Sequence, residues 1–235
     1  MERSKREAGS SPTRSQRSPV VEAIAGVVCD LQRALGPNAE VVLHDVQNLQ
    51  DGIIAIAGEV TERSVGSPAT DLLLRHLKEN DTGQPVINYR TSTSDGRPLR
   101  SSTLFLHDND GNVVGCLCIN IDISHAVALR ELLDMELGEH AQNSSSSGPV
   151  TRPQSQYEEE TFEQDAEDMF RKAIDAAVAS RKRSLSSLTK QDRVAIVKAL
   201  DERGLFLARN APQITAKMLG LSRATIYNYL NQIRG

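Results

Sequence analysis

LGLSRATIYNYLNQI (Leu219–Ile233) reads as the turn and second helix of a helix-turn-helix. Upstream, Asn210–Ala211–Pro212 sets a helix start, with Asn as N-cap and Pro inside the first turn. Ile214, Ala216, Met218 and Leu219 follow until Gly220, a residue that tolerates the left-handed conformation ending helices. Leu221 is placed to plug the corner, and Ser222 offers its hydroxyl as the next N-cap. From Arg223 onward, at roughly 100° per residue, Ile226, Leu230 and Ile233 form one apolar stripe with Tyr229 at its edge. Ala224, Asn228 and Asn231 point the other way, flanked by Thr225 and Tyr227. A face of small and amide side chains suits a DNA major groove, where Asn pairs bidentately with adenine and Ala or Thr methyls touch thymine methyls. The candidate DNA contacts are therefore Lys217, Ser222, Arg223, Ala224, Thr225, Tyr227 and Asn228. Asn228 and Thr225 would read bases, while Arg223 and Lys217 would position the backbone. The plain alternative is a helical hairpin in which Tyr227 and Tyr229 only pack.

Charge decides between these readings, because it is segregated along the chain. The chain has a net charge of −4, and that total hides four unlike segments. Residues 1–19 carry +3, residues 20–140 carry −10, residues 141–168 carry −6 and residues 169–235 carry +9. A basic C-terminal third is of the kind that binds polyphosphate, and an acidic centre is repelled by it. The chain of 235 residues is long enough for two small domains, each able to bury a core.

The expected organisation is a disordered basic arm (1–19), a sensor domain (20–140), a flexible Ser/Pro-rich linker (141–160) and a helix-turn-helix domain (161–235). Within the second segment Val21 to Leu35 reads as one amphipathic helix stopped by Gly36–Pro37. EVVLH (Glu40–His44) and GIIAIAGEV (Gly52–Val60) read as a strand hairpin, and Ser67–Pro68 caps a helix through about Glu79. Val86–Thr93, Leu99–Asp108 and Val113–Asp122 read as strands, and Ser124 caps a helix to about Leu137. An antiparallel sheet with helices on one side is an α+β sensor of the PAS type. Beyond the linker, Phe162, Ala166, Met169, Ala173 and Ala177 recur at helical spacing, and Thr189 with Asp192 makes a capping-box-like start to a helix ended by Gly204. The fold class is thus an α+β PAS-like domain followed by an all-α helix-turn-helix domain.

With these residues in view, the chain resembles the YheO-like (DauR-like) family of bacterial transcriptional regulators. The resemblance rests on VVLHD (Val41–Asp45), IAIAGEVTERSVGSPATDLLLRHL (Ile54–Leu77), YRTSTSDGRPLRSSTLFL (Tyr89–Leu106), DGNVVGCLCINIDIS (Asp110–Ser124), and ALDERGLFLARNAP through LGLSRATIYNYL. It spans about residues 20–140 and 165–235. It implies repression of a metabolic operon, with a small molecule sensed by the PAS-like part.

Two polar groups stand out as candidate effector contacts. His44 and Asp45 end the first strand, where an imidazole and a carboxylate either hold a polar ligand or cap the strand. Arg90, Arg97 and Arg100 with Ser101 and Ser102 either grip a carboxylate or lie on a strand surface; Arg presents a bidentate fork for such a group. A small polar metabolite is the expected ligand. No catalytic group, metal or cofactor is expected. The five histidines (His44, His76, His107, His125 and His140) fall at no metal-ligand spacing, and no HExxH, GxSxG or Gly-rich phosphate loop occurs. Cys29, Cys116 and Cys118 read as reduced, buried small residues of a cytosolic protein.

The expected function is a sequence-specific regulator bound to double-stranded DNA at the nucleoid, with no membrane partner. The alternatives are a serine-recombinase-like enzyme, which needs a catalytic Ser–Arg domain in place of the PAS-like pattern, and a DNA-bending structural protein, which has no use for an acidic sensor. Because one recognition helix covers too few base pairs, a homo-oligomer is expected, with the helix around Phe162–Val178 as its seam.

Overall fold

The computed structural model describes residues 17–137, 160, 162–181 and 184–235. The basic arm, the Ser-rich linker and His140 lie outside these residues, Arg17, Ser18, Pro19 and Glu160 excepted. The chain opens with α1 (Pro19–Ala25) and α2 (Val28–Leu35). Strand β1 (Ala39–Asp45), a 3-10 turn and β2 (Ile53–Ala57) follow, then α3 (Asp71–Glu79). Three strands come next: β3 (Val86–Ser92), β4 (Pro98–His107) and β5 (Val113–Asp122), closed by α4 (Ser124–Glu136). The C-terminal part holds α5 (Ala166–Ala179), α6 (Lys190–Glu202), α7 (Ala211–Leu219) and α8 (Arg223–Arg234), with short 3-10 turns between them.

The five strands form one antiparallel sheet in the order β2-β1-β5-β4-β3. Side chains alternate across a strand, so the register assigns two faces. On the outer face Val41, Leu43, Leu117, Leu104 and Ile119 pack against Val21, Ile24, Val28 and Leu31 of α1 and α2. On the inner face Val42, Cys116, Cys118 and Phe105 share one apolar cluster with Leu73 and Leu74 of α3. That cluster continues without a break into Phe170 and Ile174 of α5, Ile196 and Leu200 of α6, Leu205, and Ile226 and Leu230 of α8.

Several expectations are corrected. Helices cover both faces of the sheet, not one, which is why β1 is buried along its whole length. The helix expected over Val21–Leu35 breaks at Gly26–Val27: glycine stabilises a helix interior less than other residues, and the new direction keeps Val28 and Leu31 on the sheet. β2 ends at Ala57, and the chain then folds over the inner face, burying Val60, Thr61 and Arg63. The cap of α3 is Thr70, whose hydroxyl accepts from the Leu73 N–H at 3.3 Å, because Ser67 Oγ instead accepts from the Ser64 N–H at 3.2 Å. Asp122, not Ser124, satisfies the start of α4 by accepting from the Ser124 N–H at 2.8 Å. Helix α5 cannot be a free dimer seam, since Met169, Phe170, Ala173, Ile174 and Val178 are all buried within the chain. The helical part also does not bury a core separate from that of the sheet; it shares the inner-face cluster.

The junction is tight at Gly204. Its φ of +77° ends α6, and a Cβ there would meet the Leu74 carbonyl oxygen far inside van der Waals contact. Gly220 also has a positive φ, +63°, but open space where its Cβ would lie. Gly204→Ala should therefore cost about 2–4 kcal/mol, since strain and steric displacement add, and Gly220→Ala about 1 kcal/mol from the left-handed backbone alone. Urea unfolding of the two variants checks this; equal costs would contradict the tight junction.

Candidate nucleic-acid interface and sensor face

The helix-turn-helix forms as its residues dictate. Pro212 lies in the first turn of α7, and Gly220 ends it in the left-handed conformation. Ser222 caps α8 by accepting from the Thr225 N–H at 3.1 Å. Asn210 occupies the N-cap position of α7 but makes no side-chain cap hydrogen bond. Ile226, Tyr229 and Leu230 are buried, so Tyr229 belongs to the packing stripe rather than its edge. Arg223, Ala224, Tyr227 and Asn228 are exposed, and Asn231 extends the same face. Tyr227 is 47% exposed, which excludes the reading in which both tyrosines only pack.

The expected contact residues are not equally free. Thr225 is half-buried, and its hydroxyl lies 2.9 Å from Ser222 Oγ within the cap. Lys217 is exposed but sits 3.0 Å and 3.3 Å from the two carboxylate oxygens of Glu167 on α5. Arg209 and Arg223 are exposed and make no ion pair among the described residues. The C-terminal end of α8 is tied to the sheet side: Arg234 donates to Asp201 Oδ1 at 2.6 Å, and Lys78 of α3 donates to Asp201 Oδ2 at 2.8 Å. Burial alone would raise the Asp201 carboxyl, but hydrogen bonds from Arg234 and Lys78 outweigh it and hold it below the usual carboxylate range.

The inner face of the sheet carries a buried polar network among its apolar residues. Glu40, fully buried on β1, accepts from the Thr61 N–H at 2.9 Å, the Thr61 hydroxyl at 2.6 Å and Asn120 Nδ2 at 3.1 Å. Ser101 donates to Asn120 Oδ1 at 2.9 Å. Arg63 Nε donates to Thr61 Oγ1 at 3.0 Å, and Arg63 Nη2 lies 3.8 Å from Glu40 Oε1. Tyr89 OH sits 3.0 Å from Thr103 Oγ1 and donates to Glu160 Oε2 at 2.7 Å. The Phe162 ring covers the Arg63 guanidinium at 4.9 Å, a cation–π contact. Both Nη atoms of Arg63 are buried without a hydrogen bond among the described residues.

The expected effector residues are divided by this geometry. His44 and Ser101 reach the inner face. Asp45 caps the following 3-10 turn, accepting from the Gln47 N–H at 2.9 Å, which is the structural role weighed for it. Arg90 is exposed opposite Arg100, and Ser102 lies half-buried on that same outer side. Arg97 closes the β3–β4 turn, donating to Asp95 at 2.9 Å, Asp122 at 3.2 Å and the Val60 carbonyl at 3.0 Å. Arg63, Glu40, Asn120, Tyr89 and Glu160 were missed. Polar residues at central inward strand positions, Glu40 opposite Asn120, were the signal that could have found them. Among the described residues no group of His, Cys, Asp and Glu could hold a metal ion, and no helix is long and apolar enough to cross a membrane.

This pairing of a two-faced antiparallel sheet with a helix-turn-helix defines a PAS-like domain joined to a DNA-binding head. Residues 15–137 match the YheO-like PAS domain and residues 169–231 match a helix-turn-helix domain. The chain belongs to the YheO-like PAS family. It is 29% identical over 226 residues to an uncharacterised protein of Haemophilus influenzae, covering 95% of each chain. It is 27% identical over 219 residues to the transcriptional regulator DauR of Pseudomonas aeruginosa, covering 93% of this chain and 96% of that one. It is also 27% identical to YheO of Escherichia coli K12, covering 92% and 85%.

Burial pushes the Glu160 carboxyl from its ordinary 4.5 up to about 8, and the Cys118 sulfur adds to the rise. Hydrogen bonds from Tyr89 and Thr70 and the Arg63 charge offset part of it. Its seated pKa is the higher one, so seating Glu160 takes up a proton. The seated state is favoured fully below about pH 4.5 and loses that advantage as pH rises through about 8. The melting temperature of wild type relative to Glu160→Gln should fall across that window. A difference independent of pH would contradict it.

Proposed function

We propose that the chain is a DNA-binding transcriptional regulator that represses a metabolic operon as a homodimer and responds to a small molecule through its PAS domain. The observation that carries this reading is the exposed face of α8, where Arg223, Ala224, Tyr227, Asn228 and Asn231 stand clear of the core that buries Ile226, Tyr229 and Leu230. The +9 balance of residues 169–235 supports it, since phosphate contacts supply most of the non-specific affinity for DNA. So does the relative named a transcriptional regulator, aligned over nearly the whole of both chains.

Asn228 is assigned to base reading and Arg223 to the phosphate backbone. Lys217 has the lesser part, because Glu167 already neutralises it. With a duplex selected from a random pool, Asn228→Ala should weaken binding by about 1–3 kcal/mol on the selected sequence and leave random DNA unaffected. Fluorescence anisotropy on both duplexes decides it; equal losses would sink the assignment. Arg223→Ala should weaken both duplexes alike and lower the salt dependence, and Lys217→Ala should do less.

The dimer seam is assigned to α4. Leu129, Leu132, Leu133 and Leu137 are between 54% and 70% exposed and recur at helical spacing, an apolar stripe with no cover from the described residues. A second copy is the fitting occupant, because two symmetry-related recognition helices read half-sites spaced by whole helical turns. Sedimentation should show a dimer for the wild type and a monomer for Leu132→Glu with Leu133→Glu. A variant that stays dimeric would remove α4 from the seam.

A further inference from the structure

Glu160 and Phe162 are far from the sheet in sequence, yet both are buried against its inner face. Glu160 presents its carboxyl to Tyr89, and its backbone carbonyl lies 3.4 Å from Thr91 Oγ1. The Phe162 ring centroid lies 4.9 Å from the Arg63 guanidinium carbon. The two side chains thus bring a second carboxyl group and an aromatic ring to a face where Glu40 is already engaged by Thr61 and Asn120 and lies only at ion-pair distance, 3.8 Å, from Arg63 Nη2. The match is incomplete. The Glu160 carboxyl, tethered to its own backbone, makes no hydrogen bond to Arg63, and both Nη atoms of that residue stay buried without one. An adjoining cleft of about 500 Å³, lined by Asp71, Ser92, Thr93, Glu160, Phe162 and Lys172 among others, leaves room beside the seated residues.

We propose that this inner face is a binding site for a small carboxylate bearing an apolar or aromatic group, and that Glu160 and Phe162 hold it as the chain's own ligand. A free carboxylate is not constrained by a backbone. It can accept from Tyr89 and from the Nη atoms of Arg63 together, a charge-assisted bidentate contact that Glu160 does not make. Its apolar part replaces the Phe162 ring over the guanidinium. Binding therefore competes with the seating of Glu160 and Phe162, which stand just ahead of α5. Displacing them loosens the sensor's hold on the helical part that carries α8. The proposal deepens the sensor reading above and rests on it for its regulatory consequence, but not for the site itself.

The probe is 3-phenylpropionate, which joins the two groups that Glu160 and Phe162 supply, titrated calorimetrically into the full chain. Glu160→Ala with Phe162→Ala should bind it at least tenfold more tightly than wild type, and adding Arg63→Gln should abolish that gain. Equal affinity in wild type and the double variant, both with native circular dichroism, would overturn the proposal. Should the double variant fail to fold, Phe162→Leu keeps the apolar volume and frees the guanidinium face; it should gain at least threefold, and no gain overturns the proposal as well. DNA binding separates the two claims. Tighter probe binding that leaves DNA affinity unchanged supports the site and removes the sensor role. Metabolites that shift DNA affinity equally in wild type and Arg63→Gln keep the sensor role and overturn this site.

Discussion

The structure depends on the packing of the helical part onto the inner face of the sheet. Phe170, Ile174 and Leu205 belong to the same apolar cluster as Leu73, Leu74 and Cys116, so the sensor face would be left open to water without the helices behind it. Gly204 allows the approach by presenting no side chain to the Leu74 carbonyl. Asp201 then fixes the orientation, with Lys78 of the sensor on one oxygen and Arg234 of the recognition helix on the other. A single carboxylate thereby bridges α3 and the end of α8. Truncating one partner of such a part-buried pair leaves the other charge short of compensation, which makes the bridge a point of leverage between the two parts.

Under the proposed function, that leverage is the route from ligand to DNA. An effector changes DNA affinity only through its differential affinity for two arrangements of the chain. A tenfold effect needs about 1.4 kcal/mol of coupling, a quantity on the order of one charge-assisted hydrogen bond. The inner face holds a candidate for that bond in Arg63, whose Nη groups are buried there without a hydrogen bond among the described residues. Buried polar groups short of hydrogen bonds are expensive, and this guanidinium lies on the face that the helical part covers.

Much of this was legible in the sequence, for physical reasons that can be named. Local signals dictated the helix-turn-helix: Pro212 starts α7, Gly220 stops it, and Ser222 caps α8. Strand alternation and the turn at Asn109–Gly111 likewise gave β4 and β5. The signals that failed were those set by distant partners. Glu160 lies in an acidic stretch with no apolar pattern, and Phe162, which read as the first turn of a helix, precedes α5; only the folded sheet gives the two a binding face. Arg63 follows what read as a strand, and its burial depends on the chain folding back after Ala57. The apolar stripe of α5 looked like a surface seam because its spacing does not name its cover, which comes from α6, α7 and the cluster shared with the sheet. Arg90 and Ser101 looked like one cluster, but strand alternation sends them to opposite faces.

The central claim is that sensor and DNA-binding head share one core and unfold together. Differential scanning calorimetry of the full chain tests it most directly. The account predicts one transition whose calorimetric and van't Hoff enthalpies agree, with Asp201→Ala splitting or broadening it. Two separable transitions in the wild type, unchanged by Asp201→Ala, would contradict it.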